Sequence, residues 1–128
     1  MTQPWSELPN ACHIDWVIKS VKENPLLWCW DNETWVESGV LAAVWSEARN
    51  AAWNMARDEA HYEAQDAALE ATARTAVLAL VAYDDCDQYL NMGYEKLLVY
   101  AKLSEKPQAI LLLPMVYVKE KLNEQALV

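Results

Sequence analysis

Glycine is nearly missing from this chain. Two Gly and five Pro among 128 residues exclude a collagen-like or low-complexity polypeptide. Basic side chains are also few: ten Lys and Arg stand against nineteen Asp and Glu, a net charge of −9. Proteins that grip a phosphate backbone need cations to displace its counterions, so direct nucleic-acid binding is not expected. No long apolar run is present either. The longest, Ala109 to Val118, spans ten residues and contains Pro114, where a membrane-crossing helix needs about 20. The opening MTQPWSELPN has no basic segment leading into an apolar one, so no secretory signal is read and the expected location is the cytoplasm. Cys12, Cys29 and Cys86 are an odd set without a CxxC spacing. They suggest neither a disulfide framework nor a zinc ribbon, and reduced, mostly buried thiols are expected. No stretch alternates apolar and polar residues between turn signals, so no strands are predicted.

What is present is helix. A hydrophobic content of 54% in 128 residues predicts one folded domain over 1–128, all-α in class. Val40 to Met92 holds neither Gly nor Pro, and Ala42 to Ala82 contains fifteen Ala. Many fall at four-residue steps (Ala48, Ala52, Ala56, Ala60, Ala64), which places small side chains on one helix face and lets another helix approach closely. Forty-one helical residues would span about 60 Å, against a radius of gyration of about 14 Å for a compact chain of this length. A long or bent Ala-rich central helix, or a helix pair breaking near Asn54 to His61, is therefore expected in a helical bundle with short flanking helices. A homo-oligomer formed through the Ala face would cover any overhang.

Around that centre, a helix is predicted from about Asn10 to Lys22, capped by Asn10, with Ile14, Trp16, Val17, Ile18 and Val21 as its apolar set. Pro25 to Trp35 reads as a loop or short turn, with Asp31 or Asn32 capping the next helix. Tyr94 to Leu103 is helical after Gly93, with Leu97, Leu98, Tyr100 and Ala101 facing inward. A last helix starts near Pro107 and kinks at Pro114.

Charge and tryptophan supply the candidate sites. Asp58 to Asp87 carries Asp58, Glu59, Glu63, Asp66, Glu70, Asp84, Asp85 and Asp87 against one base, Arg74. This acidic ridge is either a solvated face or a surface for a basic partner. All seven Trp lie between Trp5 and Trp53, with Trp28, Trp30 and Trp35 around one loop. They either fill space beside Ala-rich helices or form a binding surface, since Trp is enriched at the energetic centres of interfaces. Trp28, Trp30 and Trp35, with Asp58, Glu59, Glu63, Asp66 and Glu70, are the candidate partner-binding residues. Asp84, Asp85 and Asp87 form a dense polar cluster that could hold Mg²⁺. Asp58 and His61 have the spacing of half a diiron motif, which needs a second copy that is missing here. No catalytic residue, metal or cofactor is assigned.

The stretch Trp45 to Leu90, and within it ALVAYDDC at Ala79–Cys86, resembles small Ala/Trp-rich helical proteins of unknown function from phages and prophage-bearing bacteria. Those proteins also carry an apolar stretch similar to Ile110–Val118, ILLLPMVYV. The resemblance implies a helical fold and a phage context, and it implies no catalytic residues. The resulting expectation is an acidic protein in the host cytoplasm that modulates or inhibits a host or defence protein by binding it. A nucleic-acid mimic, a virion component and a small metal-dependent enzyme are the alternatives.

Overall fold

The computed structural model describes residues 5–56, 58–68 and 70–126. Among them the helices are α1 (Ala11–Glu23), α2 (Asn32–Ser38), α3 (Ala42–Met55), α4 (Asp58–Ala67), α5 (Ala71–Ala82), α6 (Asp87–Leu90), α7 (Tyr94–Ser104), α8 (Pro107–Leu111) and α9 (Leu113–Ala126). A single 3-10 turn, Pro25–Trp28, follows α1. The chain is all-α, and no strand occurs among the described residues.

Helix α5 sits at the centre. Its sequence, ATARTAVLALVA, is apolar on nearly every side, and such a helix has to be enclosed. Thr72, Ala73 and every residue from Thr75 to Ala82 are buried, leaving Ala71 and Arg74 on the outside. Helices α1, α3, α4, α8 and α9 pack around it. Ala73, Ala76 and Ala79 on α5 are fully buried, as are Ala52 and Ala64 on its neighbours. Small side chains at these positions allow close helix approach. Val77, Leu78, Leu80 and Val81 are also fully buried, each contributing about 1.5–3 kcal/mol by leaving water.

The Ala-rich segment is thus three helices and not one rod. The break near Asn54 to His61 falls where expected, with Ala56 extended at φ −68°, ψ 149°. A second break, at Ala68 to Glu70, was not foreseen; Glu70 is extended at φ −82°, ψ 138°. The helix propensity of Ala is worth tenths of a kcal/mol per residue, far less than the burial gained when the chain folds back around α5. The Ala face foreseen for a second copy is used inside one chain, where Ala48, Ala52 and Ala64 are buried. The overhang that called for a homo-oligomer does not form.

At the C-terminal end, α8 stops at Leu111 and α9 begins at Leu113, with Leu112 between them at φ −89°, ψ −5°. Pro114 causes this bend, because it cannot donate to the carbonyl four residues earlier and its ring crowds that carbonyl. Of the residues expected to face inward on α7, Leu97 and Ala101 are buried, while Leu98 and Tyr100 are half-buried.

Several caps come from far along the chain. Asp31 caps α2 locally, accepting from the Thr34 backbone N–H at 2.9 Å and the Thr34 hydroxyl at 3.0 Å. These bonds hold its carboxyl below the usual value. Asn10 precedes α1, but its side chain makes no cap bond there. Instead its amide donates to the carbonyls of Leu80 at 3.0 Å and Tyr83 at 2.6 Å, closing the C-terminal end of α5. Glu120 on α9 likewise accepts from the Tyr94 N–H at 2.7 Å, capping α7 where Gly93 has no side chain to do so. Helix α2 ends at Gly39 in the left-handed region (φ 85°), and α7 ends at Glu105 in the same region (φ 53°).

Two stability measurements follow. Asn10→Ala removes the amide donor from the buried Leu80 carbonyl and leaves the Tyr83 carbonyl with only the Cys86 thiol, and urea denaturation should show a loss of about 1–3 kcal/mol. Glu105→Gly relieves a left-handed non-glycine residue, and the same assay should show a gain of up to about 1 kcal/mol.

Candidate functional site

The tryptophans divide between core and surface. Trp28, expected at a binding surface, is fully buried, and its indole N–H donates to Ser20 at 2.9 Å. Trp35, expected beside it, is buried as well. Both fill the space that short Ala side chains leave open. Trp30 is half-buried and holds an aromatic row together. Its ring meets Trp35 edge-on at 4.9 Å, Tyr117 at 5.5 Å and Tyr94 at 6.4 Å, and Trp35 in turn packs on Trp45 at 5.7 Å.

The acids do not form one ridge. Glu63 and Asp66 are exposed on α4. Asp58 and Glu59 belong to the same helix, but their side chains, like that of His61, lie outside the described residues. Glu70 is half-buried at the α4–α5 junction, 3.8 Å from the Cys29 sulfur. Asp84, Asp85 and Asp87 stand past the far end of α5, a helix about 18 Å long. The segment expected to form one acidic ridge is folded around a buried helix, which separates its two acidic groups.

Nor do the three aspartates converge. Asp87 pairs with His13 at 2.5 Å, and Asp85 accepts from Gln88 and Gln108 at 3.2 Å. Among the described residues no group of three His, Cys, Asp or Glu side chains is placed to hold a metal ion. None of these helices is long and apolar enough to cross a membrane.

Two arrangements remain that could bind something. The first is a surface where the end of α3 meets α4. Trp53 is 44% exposed, Met55 59% and Tyr62 55%, and the Trp53 and Tyr62 rings meet edge-on at 6.2 Å. Asp66, one helical turn after Tyr62, lies on the same face of α4, with Glu63 beside it. Among the described residues neither Glu63 nor Asp66 forms an ion pair. The candidate set passed over Trp53, Met55 and Tyr62. The available signal was the spacing of Tyr62 and Asp66 on a helix with few apolar residues to bury.

The second is a pocket of about 330 Å³ between α2, α3, α4 and the start of α5, with Gln65 its lining residue on α4. Trp30, Trp35 and Trp45 form its aromatic wall, with Thr72 and Thr75 also lining it. Arg49 and Arg74 are exposed lining residues. The Arg49 guanidinium lies 5.9 Å from the Trp45 ring centre, and Arg74 Nε donates to the Ala68 carbonyl at 3.1 Å. Neither arginine forms an ion pair among the described residues. The indole N–H of Trp45 is buried and has no hydrogen-bond partner among them. These arginines are distant in sequence, and only the fold brings them together.

The thiols also depart from expectation. Cys12 and Cys29 are exposed and only Cys86 is buried, because Cys12 falls off the Ile14–Val17–Val21 face of α1 and Cys29 follows the 3-10 turn. Burial, with the nearby Asp85, Asp87 and Asp84, pushes the Cys86 thiol up to about 12. A thiol that stays protonated is a poor nucleophile. Iodoacetamide at pH 8 should therefore alkylate Cys12 and Cys29 in the native protein and reach Cys86 only after unfolding, as intact-mass spectrometry would show. Compared with family models, curated proteins and solved structures, the chain matches none.

Proposed function

We propose that this protein works by binding another protein through the Trp53–Tyr62 surface, and that the partner presents a basic patch. The observation that carries the reading is an exposed Trp–Tyr ring pair, with exposed Met55 two residues from Trp53, Asp66 on the Tyr62 face of α4 and Glu63 flanking it. Trp and Tyr supply much of the energy at protein interfaces, and a surrounding charged rim selects the partner and speeds encounter. Glu63 and Asp66 give that rim a negative sign, in a chain of net charge −9. A second copy is the weaker fit, because a two-fold interface would set this acidic face against itself. In the phage context implied by the sequence resemblance, the partner is host-encoded, and binding in the host cytoplasm would occupy a host or defence component.

The test is affinity capture from the native host with the wild-type chain and two variants, Trp53→Ala and Asp66→Lys. Both changes are at exposed positions, so circular dichroism should stay unchanged. One protein held by the wild type at near-equal stoichiometry should be lost at least tenfold with each variant, and its release should be promoted by salt. Retention by both variants would overturn the reading. So would capture of nothing except further copies of this chain.

A further inference from the structure

The Trp30–Trp35–Trp45 pocket adjoins the Trp53–Tyr62 surface, since Arg49 stands one helical turn before Trp53 and Gln65 lies beside Asp66, but its chemistry is of a different kind. Most of this protein is acidic, yet the charged residues lining the pocket are Arg49, Arg74 and Asp31, a net of one positive charge. Two of the chain's three arginines are therefore gathered at one opening. Asp31 offsets only part of their charge, and its carboxylate is already engaged by Thr34. Deeper in, Trp35, Thr72 and Thr75 are buried, so the pocket has an aromatic interior and a cationic mouth. The Thr72 hydroxyl is given to the Trp30 carbonyl at 3.1 Å, and the Thr75 hydroxyl to the Thr72 carbonyl at 2.7 Å. Those two protons are spent within the chain, and an oxyanion would be received by the guanidinium groups.

We infer that this pocket binds a small planar aromatic carboxylate, its ring against the tryptophans and its carboxylate at Arg49 and Arg74. A volume of about 330 Å³ is at the lower end of ligand pockets, which suits one ring system and not a long chain. Guanidinium groups pair with carboxylates in planar, two-point fashion and also stack on rings. The net of one positive charge favours a monoanion. A phosphate dianion would leave excess negative charge facing Asp31.

Calorimetric titration of the full chain with four probes tests this assignment. Indole-3-acetate supplies ring and carboxylate, indole-3-acetamide the same ring without charge, acetate the charge without a ring, and phenyl phosphate a ring with a dianion. Indole-3-acetate should bind at least tenfold more tightly than each of the other three. Arg49→Gln, at an exposed position whose guanidinium makes no ion pair among the described residues and lies 5.9 Å from the Trp45 ring centre, should bring it down to the level of the amide. Asp31→Asn keeps a side chain able to cap α2 and removes the opposing charge, so it should tighten the carboxylate and bring phenyl phosphate closer to it. Equal binding of acid and amide would show an apolar hollow without anion recognition and overturn the inference. Equal binding of acetate, tighter binding of phenyl phosphate, an unaltered Arg49→Gln variant, or no binding by the folded protein would overturn it as well.

Discussion

A helix buried on almost every side can hide its side chains, but its two ends still carry backbone groups that need partners. That constraint on α5 organises the molecule. At its C-terminal end the Asn10 amide reaches across from the start of α1 to two carbonyls, and the Cys86 sulfur lies within 3.5 Å of the Tyr83 oxygen. At the other end the bonds come from side chains of α5 itself: Arg74 Nε donates to the Ala68 carbonyl and the Thr72 hydroxyl to the Trp30 carbonyl. Each of these bonds also fixes where a neighbouring segment may lie. The N-terminal helix, the α4–α5 junction and the tryptophan segment are all tied by hydrogen bonds to one helix.

The tryptophans are the counterpart of the alanines. Small residues bring helix axes close together but leave gaps wherever the helices diverge, and large rings fill them. Trp28 fits against α1 with its indole N–H satisfied by Ser20, and Trp35 and Trp45 continue the row from Trp30 toward Arg49. Both binding arrangements arise at the edge of this packing. The pocket forms where the row reaches the start of α5, and Trp53 stands two turns past Trp45 on α3, with its side chain exposed.

Local patterns in the sequence led to the helices, and distant contacts escaped it. The breaker-free window, the Asp31 cap, the stop before Pro25 and the bend at Pro114 all depend on nearby residues, and each is legible from the chain alone. The break at Ala68 to Glu70 is different in kind. No residue there opposes helix strongly, and the turn exists because α5 must be enclosed. Asn10 has the composition of an N-cap and serves a helix some seventy residues away. Glu120 capping α7 shows the same limit. For the candidate site, Trp28 and Trp35 were misread because a tryptophan-rich loop looks alike whether it faces water or a core. Arg49 and Arg74 had no local mark at all, since nothing about either residue announces the other.

The placement of α5 in the middle of the chain has a consequence for biosynthesis. Its last residue is Ala82, and the buried residues that complete its cover extend to Val118, thirty-six positions later. At a growth rate of about 5–20 residues per second, that interval lasts about 2–7 s. Through it the most apolar helix of the protein exists without α8 and α9 to shield it. The nascent chain therefore carries a greasy segment that α1, α3 and α4 cover in part, and its enclosure is complete only once Ile110 to Val118 has been made.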